Sequence, residues 1–377
     1  MDRRTLLAGS AAAGSLVLSS QAQARPPCIF GAIRWDARYC DTPGQPCYEE
    51  EQILGPAKWH GRAPLHTQVL GPNKIRFAPT QESFDAEIRA ARAGGLSYWA
   101  YLMYGDSRTG VIDLNHSMMK GLSFHRASAI RSQMKYAMMV QTSTLGSKDD
   151  YGAAVSAVVE LMHDGPYQTC LGGRPILYLY YTDDDLKTWW GADNANLRAA
   201  LDAVRVRALS RGLGDPYIVV LTSPPEAAEA ARRALSADAI SIYATPAPPM
   251  DHATYDQLDQ ATQSYWESEA RAAAGGVVPT VMIGWDPRPR KEHPPSWELK
   301  LMPAHPDMYR SVAAPTSAQF AGECQAAIRF VDAHANACRA RLVLVYAWNE
   351  DSEGGPLEPT LGDPRGARLQ ALGTIAR

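Results

Sequence analysis

Leu342-Val343-Leu344-Val345-Tyr346-Ala347-Trp348-Asn349-Glu350-Asp351-Ser352-Glu353-Gly354 holds the pattern that decides the fold. Through Trp348 every residue is apolar or aromatic, and the chain then turns abruptly polar and acidic. A strand with one wet face alternates in polarity, so a run without alternation suits a strand buried on both faces, the habit of parallel sheets. Seven earlier stretches read the same way: Cys28–Trp35, Leu96–Tyr104, Lys135–Gln141, Pro175–Tyr181, Tyr217–Thr222, Ala239–Ala244 and Val278–Trp285. Helical periodicity fills the intervals, at Phe84–Ala93, Phe124–Gln133, Tyr151–His163, Leu197–Arg211, Pro225–Leu235, Tyr255–Ala274 and Ala318–Cys338, with Arg365–Ile375 closing the chain. Gly94-Gly95, Gly212 and Gly275-Gly276 supply helix stops. Eight strand-then-helix units predict an α/β fold, a single (β/α)8 TIM barrel. An open doubly wound sheet is the competing arrangement, and no GxGxxG follows any strand to favour its nucleotide-binding form. Long connections, Asp36–Pro79 after the first strand and Asp286–Pro315 after the seventh, are candidates for functional loops.

Composition narrows the function classes. With 377 residues, 46% hydrophobic and 20% charged, the chain can bury a large core, which rules out wholesale disorder. Lysine and arginine total 37 against 40 acids, without the clustered positive charge that nucleic acid demands, so no nucleic-acid partner is expected. No apolar run reaches the length of a spanning helix, so no membrane span is expected. Residues 1–24 read as an export signal: Arg3 and Arg4 precede a mildly apolar stretch, and Ala22-Gln23-Ala24 offers a small-x-small cleavage site near Ala24. The paired arginines resemble a twin-arginine signal, which makes the product periplasmic or secreted and leaves residues 25–377 as one catalytic barrel. Of the six cysteines, Cys40 and Cys47 flank a Pro-Gly turn and form the most plausible local bridge. Cys324 and Cys338 share one predicted helix, about 21 Å apart, too far to pair there. No CxxC or HExxH occurs, so neither metal nor cofactor is expected.

In a barrel the carboxyl ends of the strands build the active site. Those ends carry Trp35, Tyr104, Gln141, Tyr180, Thr222, Tyr243, Trp285-Asp286 and Trp348-Asn349-Glu350, so aromatics and acids dominate. Indole and phenol faces suit the C–H faces of a sugar, whose hydroxyls seek Asp, Asn and Arg; plugging the barrel top is the structural alternative. Candidate substrate-binding residues are Trp35, Tyr101, Tyr104, Trp285, Asp286, Arg288, Trp348 and Asn349. Arg288 and Arg290 could instead form structural ion pairs, and Asn349 could cap the turn. Glu350, Asp351 and Glu353 crowd three acids into four positions. Their repulsion can leave a protonated acid beside an ionised base, the division of labour that glycosidic cleavage requires. A solvated acidic loop is the plain alternative.

Ala347-Trp348-Asn349-Glu350, with Glu353-Gly354 and Leu357-Glu358-Pro359, resembles the signature of glycoside hydrolase family 99 and of the WbsX-like family. Gly284-Trp285-Asp286-Pro287-Arg288-Pro289-Arg290 is similar to that family's loop after strand seven, and Gly173-Arg174-Pro175 to the start of its strand four. The segment from Phe84 to Tyr104 resembles its helix-one to strand-two region. The resemblance implies an exported retaining glycosidase acting on a polysaccharide or oligosaccharide. Glu350 would be the base acting on the sugar's own 2-hydroxyl, giving a 1,2-anhydro sugar, and Glu353 the general acid and then base. Asp351-Ser352 departs from the family, which often has an aromatic after the first glutamate, and Tyr101-Leu102-Met103-Tyr104 matches only loosely, so specificity does not carry over. A glycosyltransferase or transglycosylase, and a non-catalytic carbohydrate-binding barrel, are the alternative functions.

Overall fold

The computed structural model describes residues 26–39, 45–299, 301 and 305–376. The expected export signal and Cys40 lie outside the described residues. Eight barrel strands follow the order read from the sequence: β1 Ile29–Arg34, β2 Tyr98–Leu102, β3 Lys135–Gln141, β4 Arg174–Tyr180, β5 Tyr217–Leu221, β6 Ala239–Ser241, β7 in two pieces (Gly276–Val277 and Thr280–Met282), and β8 Leu342–Tyr346. Each pairs in parallel with the next, and β8 returns to β1 through Ile29↔Leu342 and Gly31↔Leu344. The first piece of β7 pairs with β6 and the second with β8, so one extended run serves both ends of the sheet and closes a (β/α)8 barrel. Pro279 has no N–H to give and sits at the break, its carbonyl accepting from Leu344 N at 3.0 Å.

The pleat decides what each aromatic does. Tyr98 points into the barrel, crosses Gly31 so closely that a Cβ there would lie 2.1 Å from its ring, and shares a 2.5 Å hydrogen bond with Tyr178. Residues of opposite parity on β2 face the surrounding helices. Trp99 and Tyr101 therefore pack with Phe84 and His125 in the strand–helix layer, where the buried Arg34 guanidinium lies 4.6 Å from the Trp99 ring centroid.

Helix starts follow local chemistry. Thr80, Thr254 and Thr316 each cap a helix (Gln81–Ala93, Tyr255–Ala272, Ser317–Ala333) while the residue three further on returns a bond to the cap's own backbone. Two expected helices are corrected. Phe124–Gln133 is a helix at Lys120–Ala127 followed by a separate 3-10 turn at Arg131–Gln133, because Ser128 adopts extended backbone between them. The last long helix stops at Ala333, so Cys338 lies beyond it. Cys28, Cys170, Cys324 and Cys338 are buried free thiols, and Cys47 is disulfide-bonded. The long segment after β1 has structure of its own, a helix at Pro46–Ile53 and an antiparallel pair, Thr67–Gly71 with Lys74–Phe77. No described helix is long and apolar enough to cross a membrane.

Two buried glutamates flank the barrel wall and differ in their partners. Glu323 accepts from Tyr255 Oη at 2.5 Å and Met282 N at 2.7 Å, yet burial still pushes its carboxyl up to about 8. Glu269 is fully buried with neither oxygen hydrogen-bonded, and burial alone drives its pKa well above the usual carboxylate range. The folded chain thus keeps a proton that the unfolded chain gives up above its ordinary pKa, so this group's contribution is present in acid and is lost as pH rises. Glu269→Gln cannot ionise in either state. Thermal unfolding is expected to show the variant more stable than the parent at mildly alkaline pH, with the gap closing in acid; a gap independent of pH would contradict this.

Candidate active site

The site is assembled where β8 runs out. Trp348 N donates to Ile33 O at 2.7 Å, and Asn349 then clasps the end of β1 with both ends of its amide: Trp35 N donates to Oδ1 at 2.8 Å, and Nδ2 donates to Trp35 O at 2.6 Å. Asn349 is thereby engaged with the backbone at the end of β1, not with the turn that follows it, and does not line the cavity that Glu350 and Glu353 share. A short 3-10 turn, Asp351–Glu353, follows and ends at Gly354 (φ 74°), where a Cβ would meet Asp286 N at 2.9 Å. Only glycine is free of penalty in that left-handed conformation. The turn carries Glu350 and Glu353 to one cavity, while Asp351 points away from it.

Arg290 organises the carboxylates. Its guanidinium is buried, donates to Ser352 Oγ at 2.8 Å, Glu298 Oε1 at 2.9 Å and Glu50 Oε1 at 3.4 Å, hydrogen-bonds Glu353 Oε1, and lies 3.5 Å from Glu350 Oε2. Tyr243 Oη donates to Glu350 Oε1 at 2.6 Å, and Tyr346 Oη donates to Glu353 Oε2. The second oxygen of Glu350 is buried and accepts no hydrogen bond. Burial, and then the charge of Glu353, push the Glu350 carboxyl up to about 8 against the pull of Arg290. The Glu350 carboxyl therefore holds a proton at neutral pH. Asp351 pairs with Arg38 at 2.8 Å, and Arg38 also holds Glu358 at 2.6 Å, so this third acid belongs to a buried structural network.

A cavity of about 820 Å³ opens over Glu350 and Glu353. Trp35, Tyr104, His116 and Trp297 wall one region of it, with Trp35 Nε1 donating to Tyr104 Oη at 2.7 Å and the His116 ring stacked on Tyr104 at 5.4 Å. A second hollow of about 480 Å³, bounded by Trp285, adjoins the first and shares Tyr180, Tyr243 and Glu353 with it. Glu353 therefore stands between two spaces.

Of the residues proposed from sequence, Glu350, Glu353, Trp35 and Tyr104 meet at the main cavity and Trp285 lines the smaller one. Tyr101 and Trp348 do not line either. Both are fully buried in the strand–helix layer, where Trp348 packs on Trp99 at 5.1 Å and Tyr101 Oη meets His125 Nδ1 at 3.1 Å; their expected role as sugar platforms is corrected to packing. Asp286 and Arg288 are likewise engaged with each other: Arg288 Nε donates to Asp286 Oδ1 at 2.7 Å, and Arg62 adds a second guanidinium. Burial works to raise the Asp286 pKa, but the hydrogen bonds from Arg288 and Arg62 outweigh it and hold that carboxyl below its usual range. Neither residue lines either of these two hollows. Tyr180 and Tyr243 stand at predicted strand ends but carry no signal in the sequence that marks them as part of the site, and Arg290 reads from sequence equally as sugar contact or ion pair. Glu50, Trp297 and Glu298 come from the long loops, where no periodicity marks them. Among the described residues, no group of three or more His, Cys, Asp or Glu is placed to hold a metal ion.

No protein-family model and no curated protein matches this chain. Solved structures do resemble it. A "glycoside hydrolase-like protein" superposes with a TM-score of 0.57 at 13% identity, covering 94% of this chain and 95% of that one. The GH99 endo-alpha-mannosidase from Bacteroides thetaiotaomicron, in complex with bis-tris-propane, gives a TM-score of 0.56 at 15% identity, over 92% of this chain and 96% of that chain. At such identity the likeness is one of fold.

Proposed function

We propose that this chain is an exported, retaining glycoside hydrolase of the family 99 kind, with Glu350 and Glu353 as its acid/base pair. The observation that carries the reading is the convergence of these two carboxyls on one aromatic-walled cavity, with Arg290 touching both. The solved neighbours of like fold include glycoside hydrolases, which supports the same class.

The chemistry follows from the pair. Glu350, oriented by the Tyr243 hydroxyl, takes the proton of the sugar's 2-hydroxyl, and that oxygen attacks the anomeric carbon. The glycosidic C–O bond breaks as Glu353 protonates the departing oxygen, leaving a 1,2-anhydro sugar. Glu353, now ionised, takes a proton from water, whose oxygen attacks the same carbon and reopens the three-membered ring. Glu350 returns its proton to the 2-oxygen, and two displacements leave the configuration retained. A weakly acidic hydroxyl calls for a strong base, and the buried setting of Glu350 raises its basicity for that task. The base role needs Glu350 ionised, so the proton that burial places on its carboxyl passes to Glu353 in the bound complex, and Arg290, in contact with both, supports the negative charge on either.

Reducing-end release from a panel of α-linked polysaccharides and mannans, followed by chromatography of the products, tests the reading; no cleavage of any bound polymer would sink it. The pH dependence is a second check. Because cleavage needs one proton shared between the two carboxyls, kcat/KM is expected to fall as pH rises through about 8, where the proton that Glu350 holds in the free protein leaves. Activity still climbing well above that alkaline limb would contradict the assignment.

A further inference from the structure

We propose that the cavity takes an uncharged glycan and rejects a carboxylated sugar beside the cleaved bond. The inference rests on the glycosidase reading and adds the charge class of its substrate. Among the described residues that line the two hollows, Arg290 is the only lysine or arginine. Its donors are already committed to Ser352, Glu298, Glu353 and Glu50. The Trp35 and Trp297 rings lie 5.3 and 5.9 Å from the guanidinium carbon, on top of the contacts to carboxylates. No planar fork remains to receive a ligand carboxylate, although such a fork is what arginine offers uronate-binding sites. Arg62 and Arg288 both converge on Asp286 and line neither hollow. His116 uses Nδ1 to accept the Met118 N–H at 3.2 Å, which requires that nitrogen to be unprotonated.

The acidic side chains, by contrast, face the substrate. Glu298, Glu350 and Glu353 line the main cavity, and Glu50 lies behind Arg290. A uronate seated here would add one more negative charge to that set without a counter-charge, a like-charge juxtaposition that disfavours the wrong ligand strongly. What the walls do offer suits a neutral sugar. Trp35, Trp297 and Trp285 present apolar faces, and Tyr104, whose oxygen accepts from Trp35, keeps its own proton to give.

Affinity electrophoresis of the wild-type chain tests this against a panel of neutral polymers (an α-mannan, an α-glucan and a galactan). Each is paired with the same polymer after oxidation of its primary alcohols to carboxylates, and reducing-end release is measured alongside. At least one neutral polymer is expected to bind, with its oxidised partner weaker by about tenfold or more. The gap is expected to narrow at high salt, which screens charge, and in Glu298→Gln, which removes one negative charge from the wall. An oxidised polymer bound as tightly as its neutral parent, or binding confined to acidic polymers, or no neutral polymer bound at all, would overturn the proposal. Binding of neutral polymers without cleavage would sink the glycosidase reading while leaving the charge preference standing.

Discussion

Glu350→Gln and Glu353→Gln are each expected to lower turnover by about 10²–10⁴-fold while leaving the fold intact. Glutamine keeps the size of the side chain and one accepting oxygen, so Gln at position 350 can still accept from Tyr243, and Gln at position 353 from either Arg290 or Tyr346. The charge and the transferable proton are what disappear. Folding should therefore survive, as circular dichroism and thermal unfolding would show, and binding of the polymer should persist. Equal losses of binding and turnover would point to a collapsed cavity. Wild-type rates in either variant would remove that residue from the chemistry.

Arg290→Met should produce the largest loss of stability. The guanidinium is 4% exposed and lies against Glu50, Glu298, Glu350 and Glu353. Removing one partner of a buried ion pair leaves uncompensated charge and costs about 3–5 kcal/mol. Urea denaturation at neutral pH measures that directly. Protonating the stranded carboxylates relieves part of the penalty, so the deficit is expected to shrink as pH falls. In the surviving folded fraction the alkaline limb of kcat/KM should move to higher pH, because losing the cation makes the Glu350 carboxyl hold its proton more firmly. Arg290→Lys restores charge without the fork and should recover only part of both properties. A methionine variant as stable as its parent would mean that the carboxylates are satisfied by other means.

The barrel was legible because its strands are buried on both faces, so hydrophobicity alone marks them. β3 has the bounds read from sequence, Lys135–Gln141. β6 ends at Ser241, earlier than its apolar run, because Tyr243 and Ala244 carry the chain out over the cavity toward Pro246. β7 is split at Pro279, whose missing donor interrupts a run that otherwise reads as continuous. Glu350 and Glu353 stood out through acid crowding after an apolar strand. Tyr101 did not reveal its destination, because composition fails to say which parity of a doubly buried strand faces inward; the inward-pointing Tyr98 settles it. Arg290 required tertiary structure, since Glu50 and Glu298 reach it from two separate long loops.

The division of roles between the two glutamates is tested most directly by fluoride release in the first turnover, using an α-glycosyl fluoride of the sugar found by the polymer screen. Fluoride departs without help from a general acid. Glu353→Gln should then release fluoride at a rate approaching that of the wild type, whereas Glu350→Gln, lacking the base that activates the 2-hydroxyl, should stay inert. Rescue of Glu350→Gln instead, or equal inertness of both variants, would contradict the assignment.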